Sequence, residues 1–197
     1  ESNDRKDLNL PGDQQRLLEA VYSVNPNVVL LLQTCSSMTI NWAQENVPAI
    51  VEAWYDGQAQ GKAIADVLYG DYNPSGKLTS TWYNALSDLP ADMLNYDIRN
   101  AKYTYMYHDK TPLYPFGFGL SYTTFEYKDL NISRSTLAAG EELTVSAQIT
   151  NTGDVAGCEI VQLYVHANSS IDRPIKQLVG FARVELEPGE SKTVSMP

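Results

Sequence analysis

The hydrophobic periodicity of this chain changes near Phe125, and this change limits the possible folds more than any other feature. Before it, apolar residues recur at helical spacing or form short continuous runs, whereas after it apolar and polar residues alternate. The first pattern is typical of helices packed on a parallel sheet, and the second of strands with one buried face. We therefore predict an α/β half followed by an all-β half.

Start and stop signals divide the first half into alternating helices and strands. We predict, in order, a helix at about Asp13–Val24, a strand at Val28–Leu32 buried on both faces, a helical piece around Ile40–Gln44, a strand at Ala49–Trp54, a helix at Gln58–Tyr69 with Ile64, Val67 and Leu68 inward, and a strand at Leu78–Trp82. Three parallel strands are fewer than the roughly five or six of a typical sheet. We therefore expect a partial sheet.

The second half predicts about five short strands between Phe125 and Pro197. A β-sandwich of the immunoglobulin or fibronectin type III kind has about seven strands, so we expect this one to be truncated. The expected domains are residues 1–124, with a linker from about residue 85, and residues 125–197.

Charge and composition exclude several classes of protein. The formal charge of −10 disfavours nucleic acid as a partner, and the longest apolar run is too short to cross a bilayer. Cys35 and Cys158 are expected to be free thiols, and His108 and His166 lack partners at metal-ligand spacing. A flavodoxin-like nucleotide binder is disfavoured because no glycine-rich phosphate loop follows the first strand. We expect no cofactor and no metal.

Two segments have the position or composition of a ligand site. The segment Tyr55-Asp56-Gly57 follows the second predicted strand, where open parallel sheets bind ligands, although a plain turn explains it equally well. Aromatic residues crowd the segment Tyr103–Tyr127. They predict either a packed hinge between domains, which we favour, or a platform that stacks on sugar rings.

Four motifs, in this order, resemble glycoside hydrolase family three, the retaining β-glucosidases, β-xylosidases and their relatives. They are Glu1-x-x-Asp4-Arg5 followed by Leu8-x-Leu10-Pro11-Gly12-x-Gln14, the segment Asn41–Leu78, the segment Pro112–Tyr127, and the segment Ile149–Val165. Together they span essentially the whole chain. The resemblance implies a flavodoxin-like αβα sandwich, partial here, followed by an incomplete fibronectin type III-like β-sandwich.

The resemblance also implies how the chemistry is divided between domains. Family members of this type carry a nucleophilic Asp in an N-terminal TIM barrel. No segment of this chain resembles that barrel. By the resemblance, Glu1 matches the position of the general acid/base. Retaining hydrolysis needs these two carboxyl groups about 5 to 5.5 Å apart. The chain alone is therefore expected to be inactive.

Each candidate residue also has a simpler interpretation. Glu1 is expected to be a frayed terminal residue in the isolated chain even if it is catalytic in the intact enzyme. A salt bridge between Asp4 and Arg5 that fixes the loop is favoured over direct contact with a sugar. Trp54 and Tyr55 either line the rim of a sugar pocket or, as is commoner for a Trp at the end of a strand, belong to the core.

The resemblance therefore implies the C-terminal part of an exo-acting retaining β-glycosidase, with a β-xyloside as the preferred substrate and a β-glucoside next. The implied partners are an oligosaccharide or glycoside and the TIM-barrel domain of the same enzyme, with no nucleic acid and no membrane. Secretion or export to the periplasm is expected, with the signal outside this chain. The alternative is a non-catalytic module that binds carbohydrate or only supports a partner.

Overall fold

A computed structural model describes residues 5–92 and 94–197 of the chain. These residues form two compact units. The first contains the chain up to Ile64 together with Thr79–Phe116, and the second contains Ala65–Leu78 together with Gly117–Pro197.

The helices and the parallel strands alternate along the first part of the chain, as predicted. The elements are α1 (Gln14–Val24), β1 (Val29–Leu32), α2 (Asn41–Asn46), β2 (Ala49–Glu52), α3 (Gln60–Tyr69), a 3₁₀ turn (Leu86–Asp88) and α4 (Thr104–Tyr107). Helix α1 ends before Asn25-Pro26, because the ring of a proline disfavours helical backbone at the residue before it. Its Tyr22 packs edge-on against Trp42 of α2, with ring centroids 5.4 Å apart.

The parallel sheet has two strands within the described residues, and the third predicted strand is wrong. Strands β1 and β2 pair in register, so that Leu32 lies opposite Glu52. In the segment predicted as a strand at Leu78–Trp82, Trp82 makes only an isolated antiparallel bridge to Tyr114. The local apolar pattern did not reveal that this partner is an antiparallel segment distant in sequence.

Burial around this small sheet is less complete than the sequence predicts. Leu32 is buried, but Val29 at the start of β1 is 53% exposed, so the strand is not buried throughout. In α3, Ile64 and Val67 are partly buried as expected, whereas Leu68 is 41% exposed.

The second half forms two antiparallel sheets, and the prediction of five strands is confirmed. The strands are β3 (Phe125–Ile132), β4 (Val145–Asn151), β5 (Gly157–Val165), β6 (Gln177–Leu186) and β7 (Ser191–Met196). One sheet has the order β3-β4-β7 and the other pairs β5 with β6. Residues from both sheets form one core: Ile149, Val161, Val184, Leu186 and Met196. This is the predicted β-sandwich arrangement.

A cluster of polar side chains joins the segment before Leu78 to β5 within the second unit. Lys77 Nζ donates to the carbonyl of Gly119 at 2.8 Å and lies 3.3 Å from Glu159 Oε2, and Tyr127 donates to the other carboxylate oxygen at 2.9 Å. Burial, followed by the negative charge of Glu159, raises the pKa of Tyr127. The tyrosine therefore remains a hydrogen-bond donor at physiological pH.

Candidate functional site

The carboxyl ends of β1 and β2 meet at one edge of the sheet in the first unit. Leu32 and Glu52 end the two strands opposite each other, and the backbone N–H of Ala53 donates to the carbonyl of Leu32 at 2.9 Å. The loops that follow, residues 33–40 and 53–59, therefore start side by side. This edge is where parallel sheets bind ligands.

The Glu52 carboxyl group connects these two loops. Its Oε1 accepts hydrogen bonds from the backbone N–H of Trp54 at 2.8 Å and of Thr34 at 3.4 Å, and its Oε2 lies 3.1 Å from the Thr34 hydroxyl. Burial raises the pKa of Glu52 above its ordinary value of 4.5; the two backbone donors and the Thr34 hydroxyl act in the opposite direction, and the charge of Asp56 adds to the rise. Because both oxygens are engaged, this carboxyl group has a structural role at the edge.

Arg5 binds the loop that follows β1. Its guanidinium donates to Ser36 Oγ at 2.6 Å and to the carbonyl of Ser37 at 3.4 Å, and it also contacts the sulfur of Met38. The expected salt bridge from Asp4 to Arg5 lies outside the described residues, as does Glu1. Arg5 therefore fixes the beginning of the described chain to the sheet edge.

Two further contacts hold the same N-terminal segment. The backbone N–H of Thr39 donates to the carbonyl of Leu8 at 2.8 Å, and the Thr39 hydroxyl donates to Asn9 Oδ1 at 2.7 Å. Leu10 is buried, which adds an apolar anchor. The segment that precedes α1 therefore follows the loop after β1 over several residues.

Tyr55 and Cys35 bring the two loops together near Arg5. Tyr55 is 74% exposed, and the Cys35 side chain hydrogen bonds with it. This bond is the main reason that the pKa of Tyr55 is raised, while the positive charge of Arg5 acts in the opposite direction. A guanidinium, a thiol and a phenol from three segments thus lie at one edge and can offer hydrogen bonds to a polar ligand.

Trp54 is half-buried and belongs to an aromatic cluster. Its ring packs edge-on against Trp82 at 6.5 Å, and Trp82 packs edge-on against Tyr114 at 6.1 Å. The backbone of Trp54 has φ of +56°. Such a conformation costs a non-glycine residue on the order of 1 to 3 kcal/mol, so it persists where neighbouring contacts fix it. The bond from its N–H to Glu52 is one such contact.

The sequence named Arg5, Trp54 and Tyr55 as candidates, and the structure brings all three to this edge, but Glu52, Thr34, Ser36 and Cys35 were missed as site residues. A signal for Glu52 was present, because it is the one charged residue in the otherwise apolar run Ala49–Trp54. A carboxyl group at the end of a buried strand needs hydrogen-bond donors. The serine and threonine carried no comparable signal, since their partners come from distant parts of the chain.

The two histidines have contacts of a structural kind. His108 is buried with its ring edge-on to Tyr83 at 5.0 Å, and the two ring nitrogens of His166 hydrogen bond with the carbonyl of Ile175 and with Asn168. Among residues 5–92 and 94–197, no group of three or more potential ligands is placed to hold a metal ion. None of the helices in this described part is long and apolar enough to span a membrane.

Comparison with known proteins identifies the family. Residues 1–122 match the model of the glycosyl hydrolase family 3 C-terminal domain, and residues 159–197 match that of a fibronectin type III-like domain. The chain is 44% identical over 198 residues to a β-xylosidase from Formosa agariphila, covering 99% of this chain and 27% of the relative. It is 38% identical over 207 residues to a periplasmic β-glucosidase from Salmonella typhimurium, covering 100% of this chain and 27% of that protein.

A solved structure, that of a β-glucosidase from Erythrobacter marinus, superimposes with a TM-score of 0.85 at 42% identity, over 98% of this chain and 26% of that one. The chain spans about a quarter of the length of the curated relatives it matches. The family model covers more than half of the chain, in agreement with the resemblance found from the motifs. The chain belongs to glycosyl hydrolase family 3, as its C-terminal domain followed by a fibronectin type III-like domain.

Proposed function

We propose that this chain is the C-terminal part of an exo-acting retaining β-glycosidase and supplies the general acid/base. The observation that carries the proposal is the binding of Arg5 to the loop after β1. Arg5 lies four residues after Glu1 in the sequence, so this contact anchors the chain close in sequence to the proposed acid/base. The family membership and the names of the relatives support the reaction class.

The proposed chemistry divides two carboxyl groups between domains. A nucleophilic Asp in an N-terminal TIM barrel attacks the anomeric carbon, while Glu1 protonates the leaving oxygen and then deprotonates water. For the first step Glu1 must hold its proton near neutral pH, which desolvation and the negative charge of the nucleophile favour. The 197-residue chain alone then contains only the residue that handles the proton, and is inactive.

A terminal β-xyloside is the preferred substrate in this proposal, and a β-glucoside is the next. The β-xylosidase from Formosa agariphila, at 44% identity, supports the first choice, and the Salmonella typhimurium β-glucosidase supports the second. Comparing kcat/KM for the two aryl glycosides with the full-length gene product decides between them. A ratio in favour of the glucoside reverses the order.

We also propose secretion or export to the periplasm, and a domain boundary near residue 124. The name of the periplasmic relative supports the location. Fractionation of the native host, followed by detection of the protein in each fraction, tests it. Limited proteolysis followed by mass spectrometry tests the boundary, because exposed linkers are cut first.

The decisive experiment for the acid/base uses Glu1→Ala in the full-length gene product with an activated aryl glycoside. Loss of the base slows hydrolysis of the glycosyl-enzyme, and azide, which needs no base, is expected to restore turnover and give a β-glycosyl azide. Asp13→Asn is the matched control, since this carboxylate in the same segment is 80% exposed. Full activity of Glu1→Ala contradicts the proposed role, and inactivity of the unmodified protein on all glycosides favours the non-catalytic module.

A further inference from the structure

The Thr34 hydroxyl group has two oxygen neighbours and only one proton. Its Oγ1 lies 2.9 Å from the carbonyl oxygen of Ser36 and 3.1 Å from Glu52 Oε2. The Ser36 carbonyl can only accept a hydrogen bond, and it is the nearer of the two. When the hydroxyl donates to Ser36, the contact with Glu52 is favourable only if the carboxyl group supplies a proton.

The remaining contacts of Glu52 fit a neutral carboxylic acid. Oε1 accepts from two backbone N–H groups, those of Trp54 and Thr34, as the carbonyl oxygen of an acid does. Oε2 lies 3.1 Å from the Thr34 hydroxyl oxygen, a distance at which it can accept the hydroxyl proton or, as a neutral acid, donate its own. An ionised Glu52 would instead compete with Ser36 for the single hydroxyl proton.

The surroundings of Glu52 favour the same protonation state. Burial is the main factor that raises its pKa, the hydrogen bonds from the Trp54 and Thr34 N–H groups and from the Thr34 hydroxyl lower it, and the carboxylate of Asp56 raises it, so that the net direction is upward. Arg5, Cys35 and Tyr55 are the other titratable groups at this edge. Cys35 raises and Arg5 lowers the pKa of Tyr55. The geometry of the Thr34 contacts and the electrostatics therefore agree.

We propose that Glu52 is a positioning residue that acts as a neutral acid: it donates to Thr34, whose hydroxyl donates to Ser36, and this relay fixes the loop that binds Arg5. Ionisation of Glu52 releases its proton to solvent and breaks one of the two hydrogen bonds of the relay. The loop after β1 then becomes less rigid, and Ser36 and Ser37 no longer hold the Arg5 guanidinium in a fixed position. The effect on the loop depends only on this chain, whereas its effect on catalysis rests on the proposed function.

A pH titration of the ¹⁵N-labelled chain tests the relay by NMR, with the Arg5 side-chain Nε–H and the Trp54 amide as reporters. In the unmodified chain both signals are expected to shift together, in one transition above the ordinary carboxyl pKa. Glu52→Gln keeps a donor and an acceptor in the same places, so its reporters are expected to stay constant over that range. Glu45→Gln, at an exposed carboxylate on α2, is the matched control and is expected to behave like the unmodified chain.

The proposal fails if the transition falls at the ordinary carboxyl pKa or persists in Glu52→Gln. The ¹³C shift of the Glu52 carboxyl group in the unmodified chain gives the same answer without any variant, should Glu52→Gln not fold. In the full-length enzyme, Glu52→Ala is expected to lower kcat by up to roughly 10²-fold through misplacement, with Glu52→Gln restoring most of it. If the full-length protein lacks glycosidase activity, the proposed function fails. The NMR titration still tests the relay, because it does not depend on activity.

Discussion

The backbone N–H of Trp54 donates to Glu52 Oε1 over 2.8 Å, which closes a short loop at the end of β2. The same oxygen accepts the N–H of Thr34 from the neighbouring loop. Glu52 thus links two segments that are 18 residues apart in sequence. Its protonation state is therefore expected to affect the stability of the chain.

The first prediction is that Glu52→Gln changes the pH dependence of the unfolding free energy. Because the pKa of Glu52 is raised in the fold, its contribution to stability is fully present below the ordinary value of 4.5 and is lost as pH rises through the raised value. The glutamine side chain does not ionise, so the variant is expected to gain stability relative to the unmodified chain across this window. The gain is less than about 1 kcal/mol, since the carboxyl group is only partly buried and solvent screens it.

Urea denaturation at a series of pH values measures this difference. Glu45→Gln is the control, and its difference from the unmodified chain is expected to remain constant with pH. A falling stability of Glu52→Gln relative to the unmodified chain, as pH rises above 4.5, would mean that the carboxylate is the favoured form.

The second prediction concerns the ion pair of Lys77 and Glu159, whose side chains are only 15% and 13% exposed. Glu159→Gln leaves the ammonium group nearly buried without its counter-charge and is expected to cost about 3 kcal/mol. The double variant Lys77→Met with Glu159→Leu is expected to lose less free energy of unfolding than the sum of the losses in Lys77→Met alone and Glu159→Leu alone.

A double-mutant cycle by chemical denaturation measures the coupling between these residues. Glu126→Gln is the control because its pair with Lys128 is well exposed, and it is expected to cost less than about 0.5 kcal/mol. If the losses of unfolding free energy in the two single variants add up to the loss in the double variant, the two side chains do not interact in solution.

The third prediction is that Gly119→Ala destabilises the second unit. A Cβ at this position would meet the backbone carbonyl of Gly76, which a rotamer change cannot move aside. The expected cost is about 1 to 3 kcal/mol, as for overpacking in a core. Gly76→Ala is the matched control, because a Cβ at Gly76 meets nothing within 4 Å.

Thermal unfolding of the two variants provides the comparison. Gly119→Ala is expected to lower Tm, while Gly76→Ala leaves it within the small range of a surface substitution. Equal Tm values would mean that the backbone carbonyl of Gly76 moves away at little cost.

The local parts of the fold could be predicted from the sequence. Helix α1 lies within one residue of its predicted start, because Pro11-Gly12 and Asn25-Pro26 mark its ends. Strands β4, β5 and β6 match the segments in which apolar and polar residues alternate, a pattern that needs no knowledge of pairing partners. These features depend on neighbours in sequence.

Features that depend on distant partners could not be predicted in the same way. The segment predicted as a strand at Leu78–Trp82 contains one bridge to Tyr114, and its local pattern did not reveal that partner. At the site, Arg5 was a candidate from the motif, but its acceptors in Ser36 and Ser37 lie more than 30 residues away. The relay through Glu52 and Thr34 likewise depends on a fold that brings two loops together.

The role of Glu1 is tested most directly by the pH dependence of kcat/KM in the full-length gene product, measured with a substrate whose leaving group needs protonation. The basic limb of that profile reports the pKa of the essential acid. The unmodified protein is expected to lose activity as this acid ionises, and Glu1→Gln to show a low rate without the basic limb. A Glu1→Gln variant that keeps the same basic limb would contradict the assignment.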